Sequence, residues 1–204
     1  MVSKGSMRTE EDAWNIVSPY DMWVLDKLIL SKMRGYVCGP VGIDVPKPGW
    51  YIVRPCVNMK GLGLGAEKKW LDGSTDHLPH GYFWCEFFEG RHLSVDYYCG
   101  SQVLAVEGFK SNDTFTRWDK WVKVDDKIPL PYRLSGIAVN YKEINCEYIG
   151  DKLIEVHLRW NPDFQADIKE YIPVFSLNSP DLSKDGYRYI HDPEIHGRIG
   201  AWVK

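Results

Sequence analysis

A chain of 204 residues has room for one large domain or two small lobes, and 44% apolar with 26% charged residues is ordinary globular composition. A formal charge of −3 argues against nucleic-acid binding, which draws on a basic excess. The five cysteines are odd in number and form no Cys-x-x-Cys pair, which argues against a disulfide framework and for the cytoplasm; no apolar run approaches the ~18 residues of a membrane helix, and no signal-peptide core opens the chain.

Residues 1–6 (MVSKGS) read as tag sequence ahead of a start at Met7. Thr9 followed by Glu10, Glu11 and Asp12 caps a short helix to about Val17. Ser18-Pro19 starts a second helix whose apolar face is Met22, Leu25, Ile29 and Met33, and Gly35 stops it. Three prolines and three glycines make 36–49 a loop. Residues 50–53 read as a strand, Gly61, Gly63 and Gly65 as a tight turn, and 67–71 as the returning strand. Strands follow at 82–88 and 93–98, on either side of a turn at Glu89-Gly90-Arg91, and 102–106 continues the sheet. Residues 107–133 read as a long loop with broken strands, 144–149 and 152–158 as a hairpin across Gly150-Asp151, and 165–176 as a short helix. The main domain is expected over 7–178, and 179–204 as a C-terminal tail rich in Pro, Asp, Gly and His.

Two places carry chemistry. Glycines at 61, 63 and 65 let backbone approach a phosphate and present N–H groups to it, although alternating glycines also occur in hairpin bulges. The loop lacks the long helix of a dinucleotide fingerprint and the Gly-Lys-Ser/Thr of a P-loop. Glu147 and Glu155 lie on the two arms of the hairpin, and hard cations such as magnesium are held by one or two carboxylates plus substrate phosphates. Strand alternation puts Glu155, His157 and Arg159 on one face. That combination suits a metal and a transferring phosphoryl group better than plain surface. Elsewhere, Pro79 breaks the spacing of His77 and His80 that zinc would need. Lys110, Arg117, Lys120 and Lys123 interleave with Phe109, Phe115, Trp118 and Trp121, which suits a loop closing over phosphates or a stacking surface.

The order of these features over about 26–163 resembles the ATP-grasp family. Asp26-Lys27-Leu28 with the following helix is similar to its lysine-bearing helix, and Tyr51-Ile52-Val53-Arg54-Pro55 to the strand that normally ends Val-Lys-Pro. Phe83 to Asp96 resembles the hinge strand and its turn. Asn145-Cys146-Glu147-Tyr148 and Glu155-Val156-His157-Leu158-Arg159 resemble the metal-binding strands. The resemblance implies an α+β fold in which two antiparallel-sheet subdomains sandwich a nucleotide, in a compact form without the usual N-terminal lobe. Residues 7–100 would carry the helices, glycine loop and hinge, and 101–178 the metal-binding hairpin.

It implies ATP and magnesium as cofactors and ATP-dependent ligation of an unidentified carboxylate to an amine or thiol. The alternative is a non-catalytic nucleotide-binding or interaction module that kept the fold. Lys27 and Arg54 would contact phosphates, with Gly61, Gly63 and Gly65 covering them. Cys85, Glu86, Phe87 and Phe88 would present backbone to adenine, and His92 would face the ribose. Glu147, Glu155 and His157 would hold the metal, and Arg159 would steady the transferring phosphoryl group. Three positions depart from the family: Arg54 stands for its lysine, His92 for an acid and His157 for an asparagine. The 109–123 loop, the tail or a second subunit in a homo-oligomer would complete the substrate site.

Overall fold

The computed structural model describes residues 9–57, 63–111, 115, 117–162, 164, 167–193 and 197–204. Helix α1 (Glu10–Ile16) opens with a capping box: Asp12 N donates to Thr9 Oγ1 (3.1 Å) and Thr9 N to Asp12 Oδ2 (2.8 Å). The single helix expected after Pro19 is instead a 3₁₀ turn, Met22–Leu25, followed by α2 (Lys27–Met33). Asp26 divides them, because its carboxylate caps α2 by accepting from Ile29 N at 2.9 Å. The break rotates the apolar face. Val24, Leu25 and Leu30 are buried, while Met22 and Ile29 are exposed.

Four strands follow: β1 (Cys38–Pro40), β2 (Gly49–Pro55), β3 (Glu67–Leu71) and β4 (Tyr82–Glu86). They form an antiparallel sheet in the order β1-β4-β2-β3. The chain then builds β5 (His92–Tyr98), β6 (Ser101–Phe109), β7 (Lys120–Lys123), α3 (Ser135–Asn140), β8 (Glu143–Ile149), β9 (Lys152–His157), β10 (Glu170–Val174), β11 (Arg188–Ile190) and β12 (Gly200–Val203). Its strands make an eight-stranded antiparallel sheet, ordered β11-β12-β10-β7-β6-β5-β8-β9. The α+β class with two antiparallel sheets is therefore as expected. Among the described residues no helix is long and apolar enough to cross a membrane.

Further segments differ from the sequence reading, beginning with the 36–49 loop, which contains β1. The region expected to be helical at 165–176 contains β10, where Pro173 would break a helix and Tyr171, Ile172 and Val174 favour a pleated surface. The segment read as a tail is part of the large sheet, since β12 pairs with both β10 and β11.

The large sheet is two-faced. Leu93, Val95, Tyr97, Ile144, Cys146 and Tyr148 pack under the helices in one core. Alternation turns the intervening Ser94, Asp96, Asn145 and Glu147 to the other side, toward the small sheet. Residues 87–91 carry the chain from β4 to β5, from one sheet to the other. This connector lies on the β8–β9 turn: Gly150 N donates to Arg91 O at 2.8 Å, and a Cβ on Gly90 (φ +140°) would sit 3.0 Å from Gly150 N.

Candidate functional site

Between the two sheets lies a cleft of about 730 Å³. The small sheet contributes Ile52, Arg54 and Cys85, the connector contributes residues 87–91, and the large sheet contributes His92, Glu107–Phe109, Asn145, Glu147, Glu155 and His157. Strand register explains the acidic end. Glu147 and Glu155 are direct partners across the β8–β9 hairpin, held in step by a bulge after Glu147. Directly opposed partners point to one face, so the carboxylates meet. His157 Nε2 lies 3.4 Å from Glu155 Oε1 and 3.8 Å from Glu147 Oε1.

The charges around them interlock. Lys27 Nζ meets Glu155 Oε1 at 3.3 Å. His157 Nδ1 lies 3.1 Å from Glu10 Oε2, and Arg159 Nε donates to the same oxygen at 2.9 Å. Burial and the Arg159 guanidinium both disfavour the imidazolium of His157. The carboxylates of Glu10, Glu147 and Glu155 outweigh them and push its pKa up to about 9. Burial likewise works against the charged form of Glu147, yet His157 and His92 hold its pKa well below the usual carboxylate range.

Arg54 forms the facing wall. It is buried, its Nη2 donates to Ile154 O at 2.8 Å, and its guanidinium lies over Phe83 at 5.3 Å. Its Nε is buried with no hydrogen-bond partner among the described residues. A buried donor left unmade is costly, so this atom marks where an acceptor belongs.

A third wall is aromatic. His92 Nε2 sits 3.4 Å from Glu147 Oε2, and its ring packs on Trp118 (4.4 Å between centroids) and Trp121 (5.7 Å). Lys110 Nζ lies over Phe115 at 4.5 Å. Gly108 makes room, since a Cβ there would come within 2.7 Å of Trp118 Cε3 and 2.9 Å of Trp121 Cζ3. The 109–123 segment thus lines the cleft with Phe109, Lys110, Phe115, Trp118 and Trp121, whereas no described residue beyond Pro162 reaches it.

The remaining expected residues divide. Glu86 N is already bonded to Val37 O (2.8 Å), and β4 ends there, so Phe87 and Phe88 are the peptide groups that lie past the sheet ladder. Gly63 lines the cleft at φ +64°, and a Cβ there would run into the Phe115 carbonyl. Gly65 stands back from it, at φ +75°, against the Tyr82 hydroxyl. Gly61 lies outside the described residues. Lys27 does not line the cleft. As the first residue of α2 it donates its N–H to Cys56 O (2.7 Å) and approaches Glu155 from behind. Among the described residues no group of three or more His, Cys, Asp and Glu is arranged to hold a metal ion.

Two contributors escaped the sequence reading. Glu10 lies in the capping segment of α1, and nothing local marks its ion pairs with residues 147 and 149 positions later. A buried network supports the cleft floor. Asn145 Nδ2 donates to Ser94 Oγ and Asp96 Oδ1 (both 2.8 Å), and Asn161 donates through its backbone N to Asp96 (2.8 Å) and through Nδ2 to Ser94 (3.0 Å). The alternation Ser94-Val95-Asp96 was its available signal.

No protein-family model matches the sequence, and no curated protein matches it. Solved structures do. A protein from Archaeoglobus fulgidus assigned to the ATP-grasp superfamily is 19% identical over 68% of this chain and 46% of its own, with a TM-score of 0.40. The ATP-grasp ligase PsnB, solved with the precursor peptide PsnA2 and AMPPNP, is 12% identical over 69% of this chain and 51% of its own (TM-score 0.40). The L-amino acid ligase of Bacillus licheniformis is 10% identical over 89% of this chain and 66% of its own (TM-score 0.47). The chain spans about half the length of the first two.

Proposed function

We propose that the cleft binds ATP with magnesium and serves an ATP-dependent ligation, in which a carboxylate is phosphorylated and an amine or thiol then displaces the phosphate. The observation that carries this reading is the buried Arg54 guanidinium, with its unpartnered Nε, lining the same cleft as the Glu147–Glu155 pair. An anion bridging to a cation would satisfy both walls. Arg54 binds phosphate oxygens through a planar, charge-assisted fork. Phe87 and Phe88 offer the adenine edge, and Trp118 with Trp121 closes the cleft against water. Lys27 holds Glu155 in place, and Glu10 does the same for Arg159, which steadies charge on the transferring group.

Glu147 and Glu155 fit magnesium. Both carboxylates converge, and a site completed by phosphate oxygens and water needs no third protein ligand. The ion would shield phosphate charge during transfer. His157 could join as a ligand only after losing the proton that Glu10 helps it keep. That same observation favours a second reading, a module that binds nucleotide without turnover, since Lys27 and His157 already neutralise both acids.

Calorimetric titration with magnesium-ATP tests the binding. A charge-assisted hydrogen bond is worth roughly 1.5–3 kcal/mol, so Arg54→Ala should weaken affinity about ten-fold or more. Glu155→Gln should abolish the magnesium dependence. Equal affinity for wild type and Arg54→Ala would refute the assignment. Phosphate release with a panel of carboxylates and amines separates ligase from module.

A further inference from the structure

We propose that Cys38 and Cys85 form a reversible disulfide that staples the edge strand β1 to β4 beside the cleft. The argument begins with register. Cys38 and Cys85 are direct partners across the antiparallel β1–β4 ladder. The neighbouring pair is hydrogen-bonded, with Glu86 N donating to Val37 O at 2.8 Å. Antiparallel ladders alternate, so Cys38–Cys85 is a non-hydrogen-bonded pair, the type in which Cα atoms come to roughly 4.5 Å. Disulfides span about 4.4–6.8 Å between Cα atoms, so the backbone already meets the requirement. Opposed partners also point to the same face. The other cysteines have no such partner: Cys146 faces Val95 and Val156, and neither Cys56 nor Cys99 lies in a strand.

The two thiols differ in a way that suits stepwise oxidation. Cys38 is half-buried and reachable, whereas Cys85 is 1% exposed. The Cys85 thiol beside it lowers the Cys38 pKa; burial opposes the lowering, and Lys32 and Arg54 add to it. Cys85 is correspondingly pushed up, by Cys38 first and burial second. Being the accessible one, Cys38 meets an external disulfide first, and Cys85 is the resolving thiol. With a small-molecule disulfide such as oxidised glutathione, the Cys38 thiolate attacks one sulfur and expels glutathione thiolate, leaving a mixed disulfide. Cys85 then attacks the Cys38 sulfur and expels the second glutathione, which takes the Cys85 proton. Two protein thiols are oxidised and one glutathione disulfide is reduced to two thiols. The reverse exchange reopens the pair.

The bond would act on the connector between the sheets. Strand β1 is three residues long and follows Tyr36, whose ring packs on Phe88 at 4.8 Å, and Val37, whose N–H donates to Glu86 Oε1 at 2.9 Å. Stapling β1 fixes that clamp while Cys85 lines the cleft. The inference is independent of what the cleft holds.

The test equilibrates the full chain with glutathione buffers of graded ratio, followed by acid quench, alkylation and peptide mass analysis. A peptide linking Cys38 to Cys85 should appear as the buffer becomes oxidising and vanish with excess reduced glutathione, and amide exchange at Cys38 and Gly39 should slow in the oxidised form. Cys85→Ser should stop at the Cys38 mixed disulfide. Should that buried substitution fail to fold, Cys38→Ser, at the more accessible position, should leave Cys85 reduced throughout. Absence of the linked peptide at every ratio, or a Cys38 mixed disulfide that persists in wild type, would overturn the proposal.

Discussion

Glu10 offers the sharpest perturbation of the charge network. Its Oε2 alone takes both the His157 Nδ1 contact and the Arg159 Nε hydrogen bond, at 3.1 and 2.9 Å. Glu10→Gln keeps the shape and an acceptor oxygen but removes the charge. Raising a histidine from 6.5 to about 9 corresponds to roughly 3 kcal/mol of preference for the imidazolium. Three carboxylates share that preference, so losing one should lower the His157 pKa measurably and cost about 1–2 kcal/mol of stability. The sign fixes the window. A histidine whose folded pKa is raised stabilises the fold fully below its unfolded value, near 6.5, and that contribution fades as pH climbs toward about 9.

Urea unfolding of wild type and Glu10→Gln in metal-free buffer at several pH values is the assay, with His157 followed by NMR. The mutant deficit should be largest near pH 6 and narrow as pH passes about 9, down to the share due to Arg159. A deficit independent of pH, or a His157 titration unmoved by the substitution, would refute the coupling.

Gly108→Ala should cost about 1–3 kcal/mol, because the Trp118 and Trp121 rings stand where the methyl must go. An unchanged near-ultraviolet dichroism spectrum and melting point would contradict that packing. Ending the chain at Asn178 should destabilise the large sheet rather than trim a tail. It removes the buried Ala201 and Val203 and strips β10 of a partner. A truncated protein that melts like the full chain would show β11 and β12 to be dispensable.

The parts legible in the sequence were those fixed by neighbours a few residues away. Gly150-Asp151 between two alternating runs specifies a hairpin, and once the hairpin exists its register sets Glu147 opposite Glu155. The same period predicted Glu155 and His157 on one face. Strand β12 was illegible for the opposite reason. Gly200-Ala201-Trp202-Val203 is too short, with only Trp202 and Val203 favouring a strand, to be read alone, and it is a strand because β10, about 30 residues earlier, offers it an edge. The 165–176 segment failed where tertiary pairing and Pro173 together overrode a helix-like composition.

The electrostatics of the cleft give the histidines at 92 and 157 a physical role. Glu10, Glu147 and Glu155 meet Lys27, the His157 imidazolium and Arg159 in one connected group. A neutral asparagine at 157 would leave this group with an excess of negative charge, and a carboxylate at 92 would stand beside Glu147 and deepen it. The His157 imidazolium offsets the acids by a side chain alone, and Glu10 helps to keep it protonated. Arg54 stands outside that balance. Among the described residues it has no carboxylate within ion-pair distance, and its Nε is unsatisfied. The uncompensated charge thus sits where β2 of the small sheet reaches β9 of the large one, its Nη2 held by the carbonyl of the residue before Glu155.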